Sequence, residues 1–201
     1  MIVSILLMAR PYKKVVVQKE SYNRDIILCL DISTSVDDLN LELVKNLKEM
    51  VNHLKGERFE IVIFNSFAVL LSPLTGDYEY IIDVLDQLES CLEGHNLGNS
   101  KLSDNWLYQS SYLMDGTLVG NEERGSSLIG DGLASTVYNF PNLEEKRSRS
   151  IIFSTDNDLE GTPLVTLSQA AEICKENNVT VYGIGTANMA YDSIVYYYAT
   201  F

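Results

Sequence analysis

Short apolar runs alternate along the chain with stretches in which apolar residues recur every three or four positions, the pattern of strands interleaved with helices. Residues 25–30 (DIILCL) are almost wholly apolar, as a strand covered on both faces requires. Leu43, Val44, Leu47, Met50, Val51 and Leu54 then share one face of a helix. Ser35 followed by Asp38 resembles a cap at the start of that helix, and Gly56 lies just beyond its end. Residues 59–64 and 68–71 read as two strands, and the turn between them, Asn65 and Ser66, is short enough only for a hairpin.

Tyr78, Ile81, Ile82, Leu85 and Leu88 mark a second amphipathic helix opening at Asp77. Over 90–125 the periodicity dissolves into polar, glycine-containing sequence with Trp106, Tyr108 and Tyr112; an insertion this long in a compact domain is either functional or partly disordered. A third helix is expected over 128–140, stopped by Pro141, then a strand over 149–155, a helix over 164–175 and a strand over 179–184. The expected fold is therefore α/β: a Rossmann-like, doubly wound, mostly parallel sheet with one antiparallel edge strand and helices on both faces. Such sheets bind ligands beyond the carboxyl ends of their strands, where the strand order reverses.

With 201 residues and 46% hydrophobic content the chain suits one domain, over 21–201, with no Pro/Gly/Ser-rich linker to divide it. Fifteen Lys plus Arg against 28 Asp plus Glu give a formal charge of -13, which repels phosphate backbones and argues against a nucleic-acid partner. The charge is compatible with cation binding. Cys29, Cys91 and Cys174 are odd in number and widely spaced, so they form neither a disulfide framework nor a zinc knuckle; Cys29 and Cys174 read as buried small hydrophobes. His53 and His95 alone cannot make a nitrogen-rich metal site. Residues 1–20 combine an apolar stretch (MIVSILLMA) with a basic flank; it is shorter than the ~20 residues of a membrane span and reads either as the end of a membrane helix or as a buried first strand.

Three loops carry hard oxygen groups to the same end of the expected sheet. Asp31-Ile32-Ser33-Thr34-Ser35 follows the first strand, Ser154-Thr155-Asp156 ends a later one, and 125–131 (GSSLIGD) opens a helix with further hydroxyls. Carboxylate and hydroxyl oxygens without His or Cys suit Mg2+, or Mn2+ or Ca2+, rather than zinc. With only two carboxylates, a bound dication would keep enough electrophilic character to take an anionic ligand from outside.

Asp31-x-Ser33-x-Ser35, the hydroxyl of Ser127 and Asp156 at a strand end resemble the metal-ion-dependent adhesion site of von Willebrand factor type A domains. The resemblance extends over roughly 25–186, supported by 59–64 (FEIVIF) and 71–75 (LSPLT), and is nearest to bacterial membrane-anchored members, in which a triplet like Ala9-Arg10-Pro11 follows a membrane helix. It implies that Ser33 and Ser35 coordinate the metal directly, that Asp31 and Asp156 act mainly through water, and that Ser127 stands where the family usually has threonine. Serine keeps the hydroxyl but lacks the methyl that restricts its rotamer. The resemblance further implies a protein partner presenting an Asp or Glu carboxylate, with AAA+ ATPases or envelope complexes as associates and a membrane location. The family also continues past 179–184 with a helix and a final edge strand, for which only 186–201 remain.

Blander readings stand beside these. Ser35 can be only a helix cap, Asp31 only a turn former, and Asp158 a solvated loop residue rather than an accessory ligand. Gly130 and Gly132 serve either close approach beside the site or close helix–sheet packing. Trp106, Tyr108 and Tyr112 form either a partner surface or a satellite core, and Tyr196, Tyr197 and Tyr198 read as edge packing. An enzyme is not expected: a Mg-dependent phosphoryl-transfer hydrolase with Asp31 as nucleophile would resemble the haloacid-dehalogenase-like phosphatases, whose pattern has an acid where this chain has Ser33, and neither phosphate-binding glycine motif is present. The other alternative is a metal-independent structural or assembly module.

Overall fold

A computed structural model describes residues 24–54, 56–96, 115–118, 123–141 and 147–185. Among the described residues, the strands β1 (Arg24–Asp31), β2 (Arg58–Phe64), β3 (Ala68–Thr75), β4 (Gly125–Ser126), β5 (Ser148–Ser154), β6 (Glu160–Gly161) and β7 (Val179–Ile184) are interleaved with the helices α1 (Asp37–His53), α2 (Tyr78–Asn96), α3 (Ile129–Val137) and α4 (Leu167–Glu176). Five strands form one sheet in the order β3-β2-β1-β5-β7, while β4 and β6 pair in a separate two-stranded ribbon. β1 is parallel to β2 and β5, β5 is parallel to β7, and β3 is the antiparallel edge strand. The expected α/β, Rossmann-like class with one antiparallel edge strand is the observed one.

The alternation along β1 explains the two layers. Ile26, Leu28 and Leu30 face one side, where Leu43, Val44, Leu47 and Val51 of α1 and Ile81, Leu85, Leu88 and Leu92 of α2 cover them. Ile27 and Cys29 face the other, against Ile129, Leu133 and Val137 of α3 and Ala170 and Cys174 of α4. All three cysteines are buried and unpaired, and burial pushes the thiols of Cys29 and Cys174 up to about 12.

Charge is also buried at the amino end of β1. Asp25 is fully enclosed and accepts paired hydrogen bonds from Arg58, at 2.8 Å each, and from Arg147, at 2.9 Å each. Burial raises its pKa, but the two guanidinium groups outweigh burial and hold the carboxyl below its ordinary value. Nearby Glu60 has no such compensation. Burial, opposed only in part by hydrogen bonds from Asn139 and the backbone at Leu74, pushes it up to about 7, and its Oε1 has no hydrogen-bond partner.

Some boundaries differ from the sequence expectation. α2 continues to Asn96, so residues 90–96 belong to a helix rather than to the insertion; Cys91 and Leu92 extend its buried face. A turn of 3-10 helix (Thr34–Val36) precedes α1, whose N-cap is Val36 with no side-chain hydrogen bond, so Ser35 does not cap the helix as expected. α4 begins at Leu167, behind a capping box in which Thr166 and Gln169 each bond the other's backbone N–H. The 1–20 segment, Trp106, Tyr108, Tyr112 and residues 186–201, with Tyr196, Tyr197 and Tyr198, lie outside the described residues. Among the described residues, no helix is long and apolar enough to cross a membrane.

Candidate functional site

The strand order runs outward from β1 in both directions, so the reversal falls at the carboxyl ends of β1 and β5. Asp31 is the last residue of β1, and Thr155 and Asp156 follow β5 directly. Asp31 is fully buried. Its Oδ1 accepts the backbone N–H of Ser33 at 3.0 Å and its Oδ2 accepts the hydroxyl of Thr155 at 2.9 Å. The Ser33 and Ser35 hydroxyls lie 3.2 Å apart, Ser33 buried and Ser35 exposed. Four of the five candidate residues, Asp31, Ser33, Ser35 and Asp156, therefore share one strand-end cluster.

The electrostatics of that cluster are unfavourable as it stands. Burial, with the nearby charge of Asp156, pushes Asp31 up to about 6, against the lowering effect of its bonds to Ser33 and Thr155. Asp156 is half-buried and its Oδ1 accepts the backbone N–H of Asp158 at 3.1 Å, while Asp158 itself is exposed. Between them Asn157 adopts a left-handed backbone, φ 64, which asparagine tolerates better than most residues.

Ser127 reaches the same end by another route. Phe64, the last residue of β2, accepts the N–H of Ile32 at 2.9 Å, placing the Asp31–Ser35 loop over β2. The next residue, Asn65, accepts the Ser127 N–H on its side-chain Oδ1 at 2.9 Å and the Leu128 N–H on its backbone carbonyl at 2.8 Å. The contacts that fix Ser127 run through its backbone, which is left-handed at φ 50. Ser66 donates its hydroxyl to the carbonyl of Gly125, and Gly125 in turn lies against Gly161 of β6.

Three polar residues outside the five candidate ligands complete the frame. Asn40, fully buried on α1, donates to the carbonyl of Asp31 and accepts the Ser154 hydroxyl at 3.0 Å, so one amide ties the ends of β1 and β5. Its position was legible in one respect: it lies three and four residues before Leu43 and Val44 on the apolar stripe of α1, where a polar group needs a partner. Asn65 and Thr155 are the other two. Asp131, in the first turn of α3, pairs with Arg124 and accepts the N–H groups of Leu164 and Val165 at 3.1 and 2.7 Å.

Gly130 and Gly132 are explained by packing. A Cβ on Gly130 would strike the backbone of Val165 and Thr166, and one on Gly132 would lie 2.6 Å from the Phe64 ring. Phe64 stacks on Phe153 with centroids 5.3 Å apart, so that ring has no room to retreat.

The donor set decides which cation the cluster suits. Among the described residues no three His, Cys, Asp or Glu side chains are grouped to hold a metal, so hydroxyls would have to supply ligands. Two oxygens on adjacent vertices of an octahedron with bonds of about 2.1 Å are about 3.0 Å apart. The 3.2 Å between the Ser33 and Ser35 hydroxyls fits such an edge. A dication there would also offset the charge of Asp31, whose ionisation burial and the neighbouring Asp156 make costly.

The fold belongs to the doubly wound, Rossmann-like α/β class, with its cluster at the switch point of the sheet. Its likeness to solved structures is at that level. The conserved hypothetical protein BatB from Bacteroides thetaiotaomicron superposes with a TM-score of 0.55 at 20% identity over 80% of this chain and 65% of its own. An aerotolerance-related membrane protein from Bacteroides fragilis gives 0.54 at 18% identity, covering 80% and 66%. Proximal thread matrix protein 1 from the mussel byssus gives 0.53 at 20%, covering 81% of this chain and 38% of that one. This chain therefore spans a little under two thirds of the length of the two bacterial structures. No protein-family model matches the sequence, and no curated protein is similar to it.

Proposed function

We propose that this chain is a von Willebrand factor type A domain that binds a protein partner through a divalent cation, and that it acts by binding rather than by catalysis. The observation that carries the reading is the cluster at the switch point: the paired hydroxyls of Ser33 and Ser35, the buried Asp31 beneath them and Asp156 beside them. In this reading Ser33 and Ser35 hold Mg2+, or Mn2+ or Ca2+, directly. Asp31 and Asp156 orient its water ligands, Ser127 adds a third hydroxyl, and an Asp or Glu carboxylate of the partner completes the coordination. Hard oxygen donors of low total charge leave the ion able to attract that carboxylate.

The aerotolerance-related membrane protein among the structural neighbours supports a membrane-associated location. Association with an AAA+ ATPase or an envelope complex is the corresponding proposal for the whole protein. One observation favours a metal-independent assembly module instead: both oxygens of Asp31 already have protein donors.

Calorimetric titration of the purified protein with Mg2+ and Mn2+, with Ser33→Ala and Asp31→Ala alongside, separates these readings. Saturable binding by the parent chain, lost in both variants with the fold retained by circular dichroism, supports the cation site. A parent chain that binds neither ion, even with a carboxylate-bearing peptide library present, sinks it and leaves the metal-independent module.

A further inference from the structure

We propose that Asn65, in the β2–β3 turn, is the positioning residue that holds Ser127 in its ligand-ready conformation; the proposal rests on the reading of Ser127 as part of the cation site. Ser127 is a non-glycine residue with φ 50, a conformation that is costly for an L-residue and persists only where the surroundings impose it. Beside the pairing of β4 with β6, three of the contacts that impose it come from one turn. Asn65 takes the Ser127 N–H on its side chain at 2.9 Å and the Leu128 N–H on its carbonyl at 2.8 Å, and Ser66 donates to the carbonyl of Gly125. Two successive N–H groups captured by one residue fix the peptide plane on the carboxyl side of Ser127 as well as the one before it.

This clamp answers a deficiency visible in the sequence. Serine at this position lacks the β-methyl of threonine, so its hydroxyl is less restricted by its own rotamer preferences. Holding the backbone at φ 50 restricts the directions that the Ser127 Cβ can take, and Ser127 is buried, so its surroundings narrow them further. The anchor itself is firm: Asn65 is buried, it follows the fully buried Phe64, and its own N–H is bonded to the Phe67 carbonyl at 3.3 Å. Order at Ser127 is thus derived from the hairpin on the far side of β1 and exists before any cation arrives.

The test compares Asn65→Ala with Asn65→Asp, because aspartate keeps the Oδ acceptor and alanine does not. Hydrogen–deuterium exchange over 123–130 is read without metal, and Mn2+ affinity is read by electron paramagnetic resonance. Asn65→Ala is expected to lose protection at Ser127 and to weaken Mn2+ roughly 10- to 100-fold, the usual scale for a residue that orients a ligand. Asn65→Asp is expected to restore both. Equal exchange in the parent and Asn65→Ala, or loss in Asn65→Asp equal to that in Asn65→Ala, overturns the proposal. A parent chain that shows the exchange pattern but binds no Mn2+ refutes the cation reading while leaving the clamp in place.

Discussion

The carboxylate of Asp31 and the hydroxyl of Thr155 meet at 2.9 Å although 124 residues separate them. That single bond ties the end of β1 to the end of β5, and it falls on a carboxylate whose burial already makes ionisation costly.

Asp31→Asn is therefore expected to stabilise the metal-free protein. A folded pKa of about 6 against an ordinary 3.8 means that the folded state holds the proton more tightly, so stability present at low pH is lost as pH rises from about 4 to 6. Removing the charge should return up to about 3 kcal/mol at pH 8 and little at pH 4. Urea unfolding of both chains in chelator checks this; a variant less stable than the parent at pH 8 would show that the carboxylate is better compensated than its surroundings indicate.

Glu60 sets a second pH dependence at the opposite end of the sheet. Its folded pKa of about 7 exceeds the ordinary 4.5, so its contribution is complete below pH 4.5 and gone above about 7. Glu60→Gln should leave stability unchanged at pH 4 and raise it at pH 8 by on the order of 1–3 kcal/mol. Equal shifts at both pH values would refute titration as the cause.

Asp25 behaves in the contrary sense. Its carboxyl is held below its ordinary value, so the stability it supplies is present above pH 4 and lost as pH falls through the depressed value. Asp25→Asn leaves Arg58 and Arg147 facing an uncharged group and is expected to cost about 3–5 kcal/mol at pH 7. A loss below 1 kcal/mol would mean that both guanidinium groups escape to solvent.

Gly132→Ala drives a methyl into the Phe64 ring, which is stacked on Phe153. The expected cost is about 1–3 kcal/mol, measured by thermal unfolding. An unchanged melting temperature would show that α3 can slide away from the sheet.

The buried strands β1 and β2 were legible because both of their faces are covered, which makes them mostly apolar runs, and β5 from its apolar centre at 151–153. β3 was read only over 68–71, since as an edge strand its later half mixes Ser72, Pro73 and partly exposed positions. The two-residue ribbon of β4 and β6 has no periodic signal at all. Asp31, Ser33, Ser35 and Asp156 could be placed from their positions after strands. Thr155 shares that strand-end position and Asn40 stands out on its apolar stripe, but the roles of Asn40, Asn65 and Thr155 lie in which groups they meet across the fold, and single-chain spacing carries no record of that.

The strand order also has a consequence for assembly of the chain. β1 meets β2 across 33 residues, Asp25 against Arg58, but meets β5 across 124, Arg24 against Ser148. Closing the longer loop costs about 1 kcal/mol more in chain entropy. The first half can pair locally, whereas the cluster exists only after the last parallel strands have docked. A ligand that engages Asp31 and Asp156 together therefore recognises a finished fold, and its occupancy would report the quality of newly made chains as directly as it reports the ligand.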